Sequence, residues 1–284
     1  MQITVVINCY NSEKYISETA SSLSSQTYSN FKVLFIDNHS TDQSFYRFKS
    51  NSNFNINYVK TPNFISLYSA RNFSIQFIDT PLVCFLDADD LWNPNYLQNV
   101  NYFHEKNPTI LAFQARTFSH RNGKNLIEIT KKLENNNSIK VSDFAKISFP
   151  ALGGISLKKD FFKNYNFPEP SNFIGDLDMV LNLAARRQLY FCKEAYFLYR
   201  IHPGGLTSSN LDGWEKELGN WLVTKKNHLP RELVSKLESE QKYISLRLMI
   251  NKSNIFKFLK TLFSTDIPLL FKLKLIIRKL LNKK

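Results

Sequence analysis

The stretch FLDADDLWNP at residues 85–94 sets three carboxylates, Asp87, Asp89 and Asp90, within four positions. Residues two apart on an extended chain share a face, so Asp87 and Asp89 can turn toward one point where the apolar run ends. Their charges repel unless something positive sits among them. A hard divalent cation such as Mg2+ or Mn2+ suits that place, because it takes oxygen ligands and often keeps few carboxylates while substrate phosphates complete its octahedron. Capping the helix that Pro94 begins is the alternative use of Asp89 or Asp90. A second acidic group, Asp37, closes the apolar run FKVLFID.

These aspartates need a scaffold that brings strand ends together. Apolar runs and helix-period segments alternate over the first hundred residues, the pattern of βαβ units around a mostly parallel sheet. Strands are predicted at 3–7, 31–37, 56–59 and 82–86. One helix follows the capping pair Asn11 and Ser12, where Ile16, Thr19, Ala20 and Leu23 recur at helical spacing, and another covers 66–78. Asp37 and Asp87 then lie at carboxyl ends of strands, where open α/β sheets bind ligands. Further on, the pattern predicts a helix from Pro94 through His104, strands near 110–118, 125–130 and 151–157, a helix at 176–187 and a strand near 190–200. Beyond Asp212 it is helical throughout.

A chain of 284 residues can fill one large domain, or one domain with a helical appendage. Hydrophobic content of 43% and charged content of 21% fit a globular protein and exclude collagen-like or disordered classes. The N-terminal run QITVVINCY has neither the basic start nor the cleavage site of a secretion signal, so secretion is not expected. No run reaches the ~18 apolar residues of a membrane-spanning helix. Cys9, Cys84 and Cys192 match neither a zinc site nor a disulfide framework and read as buried thiols of a reducing compartment. The net charge is +13, yet from Lys225 onward fifteen Lys or Arg face four acids, so +11 belongs to the tail.

Five elements in order, VVINCYNSEKY through FIDNHSTD, then SARNFSI, FLDADDLWNP, FIGDLDMVLNLA and YRIHPGGLTS, resemble the inverting nucleotide-sugar glycosyltransferases of family 2. The likeness spans about residues 3–208. It implies a glycosyltransferase-A fold: a Rossmann-like, mostly parallel sheet flanked by helices. The catalytic domain would cover 1–211, with a nucleotide-sugar half at about 1–107 and an acceptor half at about 108–211, followed by a basic helical region at 212–284. By similarity, Asn8 and Tyr10 pack against the nucleotide base, Asp37 and Asn38 hold base or ribose, and Arg71 and Asn72 line the same pocket. Asp87 meets ribose or metal. Asp89, in the Asp-X-Asp element, is the principal ligand of Mn2+ or Mg2+, Asp90 supports it, and His202 helps hold metal or diphosphate. Asp176 is the implied general base, with Asp178 next in line. Capping the helix is the competing role for Asp176, and first-turn charge for Asp178.

The chain departs from the family pattern in places. Asn8 stands where Pro is frequent, Asn38 and His39 where Asp-Gly is usual, Gly175 where Glu precedes the base, and Asn182 where Arg is common. The Asn38 carbonyl can still accept from an imide N–H, so a uracil base, and hence a UDP-sugar donor, remains the expectation. The acceptor is expected to be a hydroxyl of a glycan or glycolipid in bacterial lipopolysaccharide, capsule or other surface-glycan biosynthesis. Gly175 and Asn38 motivate the rival, a non-catalytic nucleotide-sugar or glycan binding protein of the same fold. A nucleotidyltransferase is disfavoured, because NCYNSEKY has no glycine-rich phosphate loop.

The tail segment PLLFKLKLIIRKLLNKK at 268–284 places Leu269, Leu273, Ile276, Ile277, Leu280 and Leu281 on one stripe, with Lys272, Lys274, Arg278, Lys279, Lys283 and Lys284 around it. KSNIFKFLKTLF at 252–263 has similar character. Such helices lie in anionic membrane interfaces, which predicts a cytoplasmic protein bound peripherally to the inner face of the cytoplasmic membrane. Packing on the catalytic domain is the alternative. No nucleic-acid partner is expected, since no such module is legible.

Overall fold

The computed structural model describes residues 1–121, 124–130, 133–134, 137–147, 149, 151–252, 255–265, 269 and 272–276. They form two compact units, Met1–His202 and Pro203–Lys284.

In the first unit, β1 (Ile3–Cys9), α1 (Ile16–Ser24), β2 (Phe31–Asp37), α2 (Ser44–Ser50), β3 (Ile56–Lys60), α3 (Leu67–Ile75) and β4 (Leu82–Phe85) follow in order. Then come β5 (Leu91–Trp92), α4 (Tyr96–Lys106), β6 (Ala112–Arg121), β7 (Lys124–Glu128), β8 (Ile155–Lys158), α5 (Gly175–Ala185) and β9 (Leu189–Arg200). Among the described residues the strands make one sheet in the order β3-β2-β1-β4-β8-β6-β9-β5, with β7 paired to β6. The first four are parallel, Ile3 standing opposite both Phe31 and Leu82. The second half is mixed: β6 pairs β9 in parallel, while β8 runs antiparallel to both β4 and β6, and β7 and β5 pair antiparallel with β6 and β9.

Strand order decides where a ligand fits. From β1 the chain steps outward to β2 and β3, then returns to pair β4 on the other side of β1. Right-handed crossovers place α3 on the sheet face opposite α1 and α2. The crevice beyond the carboxyl ends of β1 and β4 is therefore the topological switch point of this sheet. Underneath, Val5, Ile7, Phe35, Leu82 and Cys84 pack with Ile16, Ala20 and Leu23 of α1, Phe48 of α2 and Leu97 and Val100 of α4. Burying such side chains contributes roughly 1.5–3 kcal/mol each.

Several elements differ from the sequence reading. Asn11 and Ser12 do not cap α1. Asn11 takes a left-handed φ of 47° and accepts from the Thr41 N–H, while the Ser12 N–H donates to Ser44 Oγ, so both tie the loop after β1 to the loop after β2. Pro94 precedes α4 in a turn held by Gln26 and Thr27. The strand read at 151–157 begins as a 3-10 turn, Leu152–Gly154. Helix α2 escaped the pattern because only Ser44 and Phe48 are buried. The two-residue β5 leaves no period to read. All three cysteines are buried free thiols.

The second unit contains α6 (Leu206–Ser209), α7 (Leu211–Lys225), α8 (Arg231–Lys252) and α9 (Ile255–Ser264). Glu215 of α7 accepts from Ser245 Oγ at 2.9 Å and Gln241 Nε2 at 3.3 Å on α8. Leu246, Phe258, Leu262 and Leu275 form its own buried cluster. Leu275, which the expected tail stripe did not include, turns inward, while Leu269 and Leu273 of that stripe are exposed and Ile276 is partly buried. Ile277, Leu280, Leu281, Arg278, Lys279, Lys283 and Lys284 lie outside the described residues. No helix among the described residues is long and apolar enough to cross a membrane.

Candidate active site

Asp87 stands two residues beyond β4, and Arg71 reaches it from α3, whose start is capped by Ser66 Oγ accepting from the Ser69 N–H. The Arg71 guanidinium, 1% exposed, donates from Nη2 to Asp87 Oδ1 at 2.6 Å and from Nη1 to Asp176 Oδ1 at 2.9 Å. One buried cation thus ties the acidic end of β4 to the first turn of α5. Burial opposes the Arg71 charge, but the two carboxylates outweigh it and hold the proton more tightly than usual. Burial pushes the Asp87 carboxyl up, Arg71 pulls it down, and the charges of Asp89 and Asp176 push it up again. Helix α5 begins at Gly175 with Ile174 as its cap residue, so Asp176 does not cap it. Asp176 instead also accepts from Tyr68 Oη at 2.7 Å and from the Leu152 N–H at 3.0 Å. Asp178 accepts from Tyr165 Oη at 3.2 Å, one residue pair further along the helix.

The other acidic group is built by β9. Arg200 donates its N–H to Asp90 Oδ1 at 2.7 Å, its Nε to the Asp89 carbonyl at 2.7 Å, and Nη2 to Glu18 at 2.7 Å. Its guanidinium also lies 4.7 Å over the Tyr15 ring, which meets the His202 ring at 4.5 Å. The loop Asp87–Asp90 is therefore held by the end of β9, two residues before His202. His202 Nε2 stands 2.9 Å from Asp89 Oδ2. Asp90 is buried with Oδ2 unpartnered; burial, then Asp89 and Asp87, keep its carboxyl well above the usual carboxylate range. Among the described residues no three His, Cys, Asp or Glu side chains form a complete metal cage. The Asp89 and His202 pair is a two-donor set beside excess negative charge, which fits a divalent ion that takes its remaining ligands from phosphate and water.

Around the β1 end the structure separates engaged side chains from unengaged ones. Asn38 is engaged with the protein: its Oδ1 accepts from Thr61 Oγ1 and the Ile65 N–H, both at 3.1 Å, and its Nδ2 donates to the Ile65 carbonyl. Asp37 is buried, accepting from Tyr58 Oη at 2.7 Å and the Ser40 N–H at 2.8 Å, and burial together with that bond lifts Tyr58 to about 12. His39, where the family pattern has Gly, accepts a left-handed φ of 64° and contacts the Thr61 carbonyl through Nε2 at 2.7 Å. Asn72 is also turned to structure, with bonds to both backbone groups of Phe167. Asn8 stands apart: both polar atoms of its amide are buried without a partner. Beyond it Tyr10, 50% exposed, meets Phe64, 60% exposed, with ring centres 4.7 Å apart.

The family model for "Glycosyl transferase family 2" matches residues 4–165. The chain belongs to that family. It is 25% identical over 254 residues, 86% of this chain and 28% of the relative, to the "Minor teichoic acid biosynthesis protein GgaB" of Bacillus subtilis. The chain spans about a third of the length of the first curated relatives it matches. Among solved structures, S. aureus TarS 1-349 in complex with UDP-GlcNAc superimposes with a TM-score of 0.67 at 19% identity, over 92% of this chain and 80% of that one. The mannosyltransferase PcManGT from Pyrobaculum calidifontis, in complex with GDP-Man and Mn2+, gives 0.60 at 14% identity, over 100% and 88%. The glycosyltransferase-A-like fold expected from sequence is thus the fold found.

Sequence reasoning named Asp87, Asp89, Asp176, Arg71 and His202, which the structure brings together in two linked groups. It missed Tyr68, Tyr15 and Phe64. No family residue type or period marked them.

Proposed function

We propose that this chain is a metal-dependent inverting glycosyltransferase that moves a sugar from a UDP-sugar to a hydroxyl of a glycan or lipid-linked acceptor in bacterial surface-glycan assembly. The observation that carries this reading is the Asp87–Arg71–Asp176 bridge, which sets a carboxylate of the acceptor half beside the acidic strand end of the donor half. The uridine nucleotide in the TarS structure and the teichoic acid naming of GgaB motivate the donor and the setting.

Asn8, with its unpartnered amide, and Tyr10 are assigned to the base, with Phe64 beside Tyr10. Asp37 and Asn38 shape that pocket by holding its loops. Asp87, oriented by Arg71, is assigned to the ribose, while Asn72 secures the segment at Phe167. Asp89 and His202 would hold Mn2+ or Mg2+, which when bound offsets the charge developing on the departing diphosphate. Asp176 accepts the proton of the acceptor hydroxyl as that oxygen bonds to the anomeric carbon and the bond to the diphosphate breaks. A single displacement inverts the anomeric carbon. The amide of Asn8 and the carboxylates other than Asp176 do no chemistry beyond binding and orientation; only Asp176 moves a proton.

The exposed apolar residues Phe263, Leu269 and Leu273, set among Lys260, Lys272 and Lys274, support docking of the second unit on an anionic membrane surface, where a lipid-linked acceptor would lie. The deciding experiment follows UDP release from UDP-sugars with and without Mn2+. Release should need the metal and vanish in Asp89→Ala; equal release by both proteins rejects the assignment of Asp89.

A further inference from the structure

We infer that Tyr68 is a positioning residue for the Asp176 carboxylate and that it occupies the space which a side chain at position 175 would need. The inference rests on the reading of Asp176 as general base. Tyr68 engages both ends of that residue: its hydroxyl donates to Asp176 Oδ1 at 2.7 Å and accepts from the Asp176 N–H at 3.0 Å. An ionised carboxylate offers about four lone-pair positions. Tyr68 and Arg71 take two on Oδ1 and the Leu152 N–H takes one on Oδ2, so the position left for a substrate proton lies on Oδ2. Without the phenol, rotation about the carboxylate bond is restrained by fewer contacts, and the free lone pair is less well aimed.

The ring explains Gly175. A Cβ there would stand 2.2 Å from two ring carbons of Tyr68 and 2.5 Å from a third. The ring has no room to yield, being buried between the Arg71 guanidinium at 4.7 Å and the Phe167 ring at 5.3 Å. Gly175 and Tyr68 therefore form one unit, in which a phenol contributed by α3 stands beside the base instead of a carboxylate preceding it. Burial, reinforced by the Asp176 charge, pushes the Tyr68 hydroxyl well above its ordinary range, so it remains a donor at working pH.

Tyr68→Phe keeps the ring and removes the donor. Using the full chain, Mn2+ and whichever of UDP-glucose, UDP-galactose, UDP-GlcNAc and UDP-GalNAc it turns over, kcat for UDP release should fall about tenfold to hundredfold, the scale of one hydrogen bond to a charged group, with KM for the donor within about twofold. In the Asp176→Asn background the same change should cost almost nothing further, because the carboxylate it positions is gone. Gly175→Ala should also depress kcat. If Asp176→Asn cuts release by about two to four orders of magnitude while Tyr68→Phe leaves kcat intact, or if the two changes multiply in the double variant, Tyr68 is only packing and the inference fails alone. If Asp176→Asn retains release, or the parent chain releases UDP from none of the four sugars, the base reading itself fails and carries this inference with it.

Discussion

Replacing Arg71 with Met keeps a long stem in place and removes one buried positive charge. The parent bridge sets two carboxylates on a single guanidinium that is 1% exposed, at 2.6 and 2.9 Å. Without it, Asp87 and Asp176 face each other across the gap with no compensating charge. Leaving a buried ion-pair partner uncompensated costs about 3–5 kcal/mol, and because the Asp87 and Asp176 side chains are 30% and 22% exposed the cost here lies at the lower end, about 3 kcal/mol. At ~2–4 °C per kcal/mol for a unit of this size, the melting temperature of Met1–His202 should drop on the order of 10 °C at pH 7.5. The sign of the pH dependence follows from Asp87. Losing Arg71 removes the influence that holds its raised carboxyl down, so the folded variant binds a proton at a pH where the unfolded chain does not. Stability then falls as pH rises through that window, and the deficit is largest at neutral pH and shrinks toward the carboxylate range. The triple variant R71M/D87N/D176N has no charge left to compensate and should regain most of the loss while remaining inactive. Thermal unfolding in which R71M melts within about 2 °C of the parent, or in which the triple variant is no more stable than R71M, refutes the charge argument.

His104 is buried beside Ser156 Oγ at 2.9 Å, and burial with the nearby Lys158 charge lowers it to about 3. Its contribution is whole above the unfolded value near 6.5 and is lost as pH falls below it, about 2–3 kcal/mol between pH 6.5 and 4.5; urea unfolding of His104→Leu should lack that share, and parallel pH slopes would count against it. For the second unit, sedimentation with anionic vesicles at low salt should show binding by the intact chain, at least tenfold weaker in K272E/K274E at roughly 1 kcal/mol per lysine. An intact chain that stays in the supernatant removes the membrane proposal.

The local pattern was enough for β1, β2 and β4, because each is a short apolar run largely buried on both faces, and for β3, a half-exposed edge strand marked by Ile56, Tyr58 and Val59. It was enough also for the acidic ends Asp37 and Asp87, whose place follows from where those runs stop. Residue types alone could not separate groups that face a ligand from groups that face the protein. Asn8 and Asn38 look alike in sequence, yet one amide is unpartnered and the other is fully bonded to Thr61 and Ile65. Gly175 looked like the loss of a carboxylate, and its meaning came only from Tyr68, 107 positions earlier in the chain. The amphipathic tail was visible as a period, but which leucine turns inward was set by Phe258 and Leu262, and it is Leu275. Sequence by itself determined strands β1 to β4, their acidic ends and the family likeness, since these depend on neighbours a few residues apart. The tertiary structure alone decided the bridge at Arg71, the lone pair left on Asp176 and the seat of Tyr68, because each is a contact between segments about a hundred residues apart whose geometry no local preference encodes.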